Sequence, residues 1–220
     1  MGYTVLSSAS EINDLGFILT KNQKFSTHCE KTAKKAMLVS AHIFRVFKTR
    51  KTSFLLQMFN TYVRPIVEYG VQIWSPHLQK DIDIIERVQR SFTKRIPEVR
   101  HLGYVQRLKA LSIDSLEHRR IVADLTLGYK IANNLIDLNF DDFFTYSPDS
   151  ATRSHSLRLK APHDRNECIN SCFMYRFPKI WNSLPSKIVS AKNLFVFKKM
   201  LDQYDPKSFL RGRGLGDHLS

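Results

Sequence analysis

Lys80-Asp-Ile-Asp-Ile-Ile-Glu-Arg-Val-Gln-Arg-Ser-Phe-Thr-Lys-Arg-Ile96 decides how this chain folds. Ile82, Ile85, Val88, Phe92 and Ile96 recur at intervals of three and four, the spacing of one buried helical face, and Pro97 stops the run. Arg87, Arg90 and Lys94 fall at i, i+3 and i+7, with Arg95 adjacent, which predicts a basic stripe turned away from Ile85, Val88 and Phe92. The same period continues on both sides. Upstream, Thr27 and Glu30 read as a capping box. Ala33, Ala36, Met37, Ser40, Ile43, Phe44 and Phe47 follow as a buried face, with Lys31, Lys34, Lys35, Arg45 and Lys48 mostly off it. A second helix is expected over 53–74, where Pro65 predicts a kink or break because it lacks a donor and crowds the preceding turn. Downstream, 104–111 reads as a short helix. A longer one is opened by Ser115 as N-cap and leaves through Asn133-Asn134.

The ends differ from this body. Residues 3–6 and 14–19 are β-type runs separated by polar residues, consistent with a hairpin in which Gly16 permits a bulge or close approach. A lone hairpin is marginal in water and its open edge is adhesive, so the start of the chain is expected to be cut from a larger sheet. Residues 139–160 are dense in turn formers and read as an irregular linker. Residues 172–185 read as helix then turn, with Cys172 expected in the core. Ser190 is the expected cap of a last helix carrying Leu194, Phe197, Leu201 and Tyr204 on one side. The expected fold is mainly α: a helical, bundle-like body after a short β-hairpin, followed by an irregular, partly helical C-terminal region. The expected divisions are 1–24, 25–137, 138–171, 172–206 and a flexible basic tail over 207–220.

Thirty-four Lys and Arg against 20 Asp and Glu leave a net charge of +14, an excess that favours a polyanionic partner. A membrane-surface anchor would gather its bases on one amphipathic helix, and here they are spread along the chain. No apolar run approaches the ~20 residues that span a bilayer. Met1-Gly2 resembles a myristoylation start but is followed by Leu6 where that signal needs Ser or Thr. Cys29, Cys168 and Cys172 cannot close a disulfide set and follow no secretory signal. The expected location is intracellular, nucleus or cytoplasm.

Several short motifs add a family resemblance. They are Asp14-Leu-Gly-Phe-Ile-Leu19 with Phe25 and His28, Tyr62-Val-Arg-Pro-Ile-Val-Glu-Tyr-Gly-Val-Gln-Ile-Trp-Ser-Pro76, and Glu86-Arg-Val-Gln-Arg90. Arg107-Leu-Lys-Ala-Leu111, Glu117-x-Arg-Arg120, Tyr129-Lys130 and Trp181-Asn-Ser-Leu-Pro185 come next, in order. Together they resemble the C-terminal part of a non-LTR retrotransposon reverse transcriptase of the jockey-like and CR1-like kind. The resemblance implies that residues 1–24 leave the polymerase palm and that the helical body is the thumb and post-thumb region, the part gripping the template-primer. It also implies that the catalytic aspartates, which hold two divalent metals about 3.5–4 Å apart, lie upstream of Met1. Mg²⁺ is then expected only for the complete polymerase, and no cofactor for this chain.

Independent chemistry is hard to find in the residues. Phe140-Asp-Asp-Phe143 has the look of an aromatic-Asp-Asp signature but lacks flanking strands and a third acidic strand, so Asp141 and Asp142 read as structural or solvated. His155, His163, Cys168 and Cys172 do not match zinc-knuckle spacing. Arg211-Gly-Arg-Gly-Leu-Gly216 lacks the strand and helix of a phosphate loop. Tyr62, Tyr69, Trp74 and Trp181 could stack on bases, but their apolar neighbours favour core packing. What remains is phosphate-backbone binding of RNA or DNA by Lys31, Lys34, Lys35, Arg87, Arg90, Lys94 and Arg95, in a chain catalytically inert alone. Two other readings stay open: a basic helical module in use by the cell, and a degenerate product without selected function.

Overall fold

The computed structural model describes residues 9–22, 24–147, 157–162, 172–204 and 206–211. Its N-terminal hairpin pairs β1 (Glu11–Asp14) antiparallel with β2 (Phe17–Thr20), Asp14 opposite Phe17. The expected first strand at 3–6 lies outside the described residues, and the strand that pairs with β2 is 11–14. Leu15 and Gly16, at φ +46° and +85°, make a two-residue connection whose positive dihedrals match strand twist and pin this register. β1 is exposed along its length, while β2 buries Phe17 and Ile18 against the helices.

Helix α1 (Ser26–Val46) buries Ala33, Ala36, Ser40, Ile43 and Phe44 as its periodicity predicts, and leaves Phe47 at the rim. The Thr27–Glu30 box is not its cap. The helix starts two residues earlier, with Phe25 at the cap position and the Ser26 hydroxyl donating to Asp81 Oδ2 at 2.6 Å. A bond across the fold has displaced the local one. Then follow α2 (Thr52–Met58), a π-helical turn (Phe59–Val63), α3 (Arg64–Glu68) and α4 (Val71–Trp74). Pro65 cannot donate to the carbonyl four residues back, and widening the turn just before it accommodates the ring. Gly70, at φ +59°, then reverses the chain; a Cβ there would stand 2.3 Å from the Phe17 ring, so only glycine lets the hairpin dock.

Helix α5 (Gln79–Lys94) packs along α1 and buries Ile82, Ile85, Val88 and Phe92, with Ile96 just past its end. Helices α6 (Tyr104–Leu111) and α7 (Leu116–Ala132) follow as expected. Ser115 Oγ accepts the His118 N–H at 3.1 Å, and Asn134 leaves the last turn at φ +51°. The rest of the chain forms α8 (Phe173–Trp181), α9 (Ser186–Val189) and α10 (Leu194–Leu201). Two expectations change here. Asn193 rather than Ser190 caps α10, its Oδ1 accepting the Val196 N–H at 2.9 Å, while Ser190 closes α9. Cys172 is exposed at the start of α8 rather than buried, and Phe173 and Phe177 take the core positions.

Apolar side chains gather into two cores that meet along α7. The first joins α1 through α5 around Phe59, Trp74 and Phe92. The second lies between the C-terminal half of α7 and α8 to α10, around Tyr129, Phe177, Trp181 and Phe197. The irregular stretch after α7 contributes to it: Phe144 and Leu159 are buried, and Phe140 and Phe143 pack alongside. Asn182 clamps the Leu159 backbone from both sides, accepting its N–H at 2.8 Å and donating to its carbonyl at 2.7 Å. Trp181 Nε1 donates to the Leu157 carbonyl at 2.8 Å, so Trp181-Asn182 fastens this stretch down. At Gly128 a Cβ would lie 2.0 Å from the Phe177 ring, making glycine a packing requirement of the α7–α8 contact.

Candidate nucleic-acid interface

Because α1 and α5 commit their apolar faces to one core, their cations are left to solvent. Lys31, Lys34, Lys35, Arg87, Lys94 and Arg95 are all exposed. Lys31 meets Glu11 of the hairpin at 2.5 Å, whereas no carboxylate among the described residues pairs with Lys34, Lys35, Arg87 or Lys94. Arg95 folds back over the Phe44 ring, its guanidinium carbon 3.8 Å from the centroid. Lys80, not among the residues expected to bind, is exposed as well. Lys80, Arg87 and Lys94 repeat every seven residues, so they stand nearly in line on α5 with a rise of about 10.5 Å between successive members. That heptad spacing was visible in the sequence.

Arg90 departs from the stripe. It is half-buried, its guanidinium 4.7 Å from the centre of the Tyr104 ring, and its carbonyl accepts from Arg107 Nη2 at 3.2 Å. Arg107 is itself buried and also donates to Thr93 Oγ1 and the Leu102 carbonyl, closing the C-terminal end of α5. Two arginines therefore hold helix ends and an aromatic ring rather than facing outward.

Within Glu86-Arg-Val-Gln-Arg90, Glu86 and Gln89 turn inward while Arg87 faces solvent. Glu86 is fully buried and accepts the Tyr104 hydroxyl at 2.5 Å, the Leu116 N–H at 3.2 Å and the Glu117 N–H at 3.1 Å. A carboxylate thus sits on the first turn of α7, where the helix dipole favours negative charge. Burial pushes its pKa up against the pull of Arg120 and these donors. Gln89 Nε2 donates to the Asp114 carbonyl at 2.8 Å, fixing the turn before α7. Asp81, Glu86, Glu117 and Asp124 are all buried, against Arg107 and Arg120 among the buried cations. Among the described residues, more carboxylates than guanidiniums are therefore withdrawn from the surface, which leaves the solvent-facing part of these residues the more basic.

The aromatics divide. Trp74 and Trp181 are core residues, whereas Tyr62 and Tyr69 are 54 % and 59 % exposed, against the expectation of core packing. Tyr69 stacks on Phe17 at 5.3 Å and holds the Leu15 carbonyl through its hydroxyl, which leaves Tyr62 the one with an open ring. Their helix turns through a π-helical step just there, rotating Tyr62 off the face that carries Val63 and Val67. Asp141 and Asp142 are exposed on a 3₁₀ turn (Phe140–Asp142). His155, His163, Cys168 and the basic tail from 212 onward lie outside the described residues, among which no His, Cys, Asp and Glu are grouped to hold a metal. No described helix is long and apolar enough to cross a membrane.

No family model matches the chain, and no solved structure matches it. It is similar to the Caenorhabditis elegans uncharacterized protein B0403.1, 24% identical over 145 residues, spanning 64% of this chain and 72% of that protein.

Proposed function

We propose that the chain is the nucleic-acid-gripping C-terminal part of a non-LTR retrotransposon reverse transcriptase of the jockey-like and CR1-like kind. By itself it binds the phosphate backbone of RNA or DNA and catalyses no synthesis. The observation that carries this reading is the charge placement on α1 and α5, where among the described residues Lys31 is the one exposed cation held in an ion pair, while buried carboxylates outnumber buried guanidiniums. The ordered motifs point the same way. Lys34, Lys35, Lys80, Arg87 and Lys94 neutralise phosphates, Lys31 shares its charge with Glu11, and Arg90 and Arg95 act mainly as packing cations on Tyr104 and Phe44.

Filter binding of a duplex and of a single strand across a salt series tests this. Each phosphate contact contributes about 0.9 to the log–log slope on duplex and about 0.7 on single strand. Reversing Lys80, Arg87 and Lys94 to Glu should therefore flatten the duplex slope by about 2 to 3, whereas Arg90→Gln should act chiefly on stability. Identical slopes for the wild type and the triple variant would refute the stripe. Primer extension with Mg²⁺ or Mn²⁺ should give no product; template-dependent synthesis by rigorously purified chain would overturn the assignment of inertness.

A further inference from the structure

Between the two cores lies a cleft of about 620 Å³, walled by the Ser75-Pro76-His77 turn, α7, α8 and residues 208–211. Its size falls within the range of small-ligand sites. Arg120 on α7 lines it and is 3% exposed, yet neither Nη1 nor Nη2 has a hydrogen-bond acceptor among the described residues. Leaving such a fork unsatisfied is costly, and its geometry fits two oxygens of one oxyanion.

The neighbouring carboxylates are already engaged elsewhere. Asp124 gives both oxygens to Arg176, at 2.7 and 2.9 Å. Glu117 accepts the Arg211 backbone N–H at 2.9 Å, and Glu86 holds Tyr104 and the start of α7. They balance the Arg120 charge through space without occupying its donors. Exposed Lys179 on α8 and Arg211 on the C-terminal segment add two further cations at the rim. Ile82, Ile121, Ile180 and Phe209 supply apolar lining.

We infer that this cleft binds a phosphate monoester carried on a flat apolar body, of the nucleoside monophosphate class, with the Arg120 fork and Lys179 on the phosphate and Phe209 beside the base. The site is separate from the α5 stripe and stands whether or not that stripe binds nucleic acid. Its ligand is either a free nucleotide or the phosphorylated end of a strand.

Isothermal titration with inorganic phosphate and with adenosine 5′-monophosphate, at constant ionic strength, tests the inference. Both should bind saturably at one site, the nucleotide more tightly. Losing one charge-assisted contact should weaken binding about tenfold or more, which is the effect expected of Lys179→Glu, a surface change, and of Arg120→Lys, which keeps the charge but loses the fork. Arg87→Glu with Lys94→Glu should leave affinity unchanged. In that same background, preference for a 5′-phosphorylated over a 5′-hydroxyl oligonucleotide would identify a strand end as the source. Equal oligonucleotide affinities with retained nucleotide binding would identify the free nucleotide. Absence of saturable binding by either small probe, or binding indifferent to Lys179→Glu but lost in the α5 double variant, overturns the inference.

Discussion

At His28 the imidazole Nδ1 accepts the Ile18 N–H at 3.4 Å, and the ring packs edge-on against Trp74 with centroids 4.9 Å apart. With Nδ1 accepting, Nε2 carries the proton and faces Thr32 Oγ1 at 3.4 Å, so the ring that ties β2 to α1 is neutral. Burial lowers its pKa below 6.5, since a charged imidazole would lose hydration among Phe17, Phe25 and Trp74. The unfolded chain therefore takes up this proton before the folded one does. The His28 contribution is fully present above about pH 6.5 and is lost progressively as pH falls from there toward the folded value. Urea midpoints at about pH 7.5 and pH 5.5 should fall with acidification in the wild type and fall less in His28→Gln. Parallel declines would remove His28 from the account. The adjacent Cys29 thiol, also buried, is pushed up to about 12 and so stays protonated and unreactive in the folded chain.

Among the elements, α7 depends most on residues supplied from elsewhere. Its first N–H groups are shared between Ser115 and Glu86, the latter on α5 about thirty residues earlier. Glu86→Gln preserves shape but replaces two charged acceptors with one neutral oxygen, and should lower unfolding free energy by roughly 2 kcal/mol. Tyr104→Phe should cost roughly 1 kcal/mol. Urea unfolding measures both, and a neutral Glu86→Gln would show that the carboxylate adds nothing at the helix start. The apolar faces of α1 and α5, the Ser115 cap, the Asn133-Asn134 exit and the disturbance at Pro65 were legible in the sequence because each depends on neighbours a few residues away. Glu86, Gln89 and Thr93 have the same spacing as the apolar residues beside them, a signal overshadowed by the arginines between. The Ser26–Asp81 bond, the Arg90–Tyr104 contact and the docked stretch around Leu159 depend on partners brought near only by the fold. The charge excess disclosed a basic protein, but which cations stay in solvent required the packing. Nothing in the spacing marked Arg120 as a buried fork, because its surroundings come from α5, α7 and α8 together.

For the molecule as a whole, Arg176 is a principal tie between the two cores. From α8 it reaches both oxygens of Asp124 on α7 and also the Gln72 carbonyl on α4, at 2.8 Å, so one guanidinium spans helices belonging to each core. Asp124 is 2% exposed, and a carboxylate so placed cannot lose Arg176 without forfeiting both its ion-pair hydrogen bonds in a poorly solvated site, where only Arg120 then faces it through space. Arg176→Leu alone should cost about 3 to 5 kcal/mol, most of it the penalty on Asp124 rather than the worth of the pair. The double replacement Asp124→Leu with Arg176→Leu removes both charges, so it should be less damaging than Arg176→Leu alone even though it deletes more hydrogen bonds. A double-mutant cycle by urea unfolding at neutral pH measures that reversal. Simple additivity of the two single losses would mean that the pair is not coupled. If coupling is large, the cost should fall on the joint between cores: amides of α8 and α10 should lose more hydrogen-exchange protection in Arg176→Leu than those of α1 and α5. Uniform loss across all four helices would instead mean that the two cores unfold as one cooperative unit and that Arg176 only adds to their common stability.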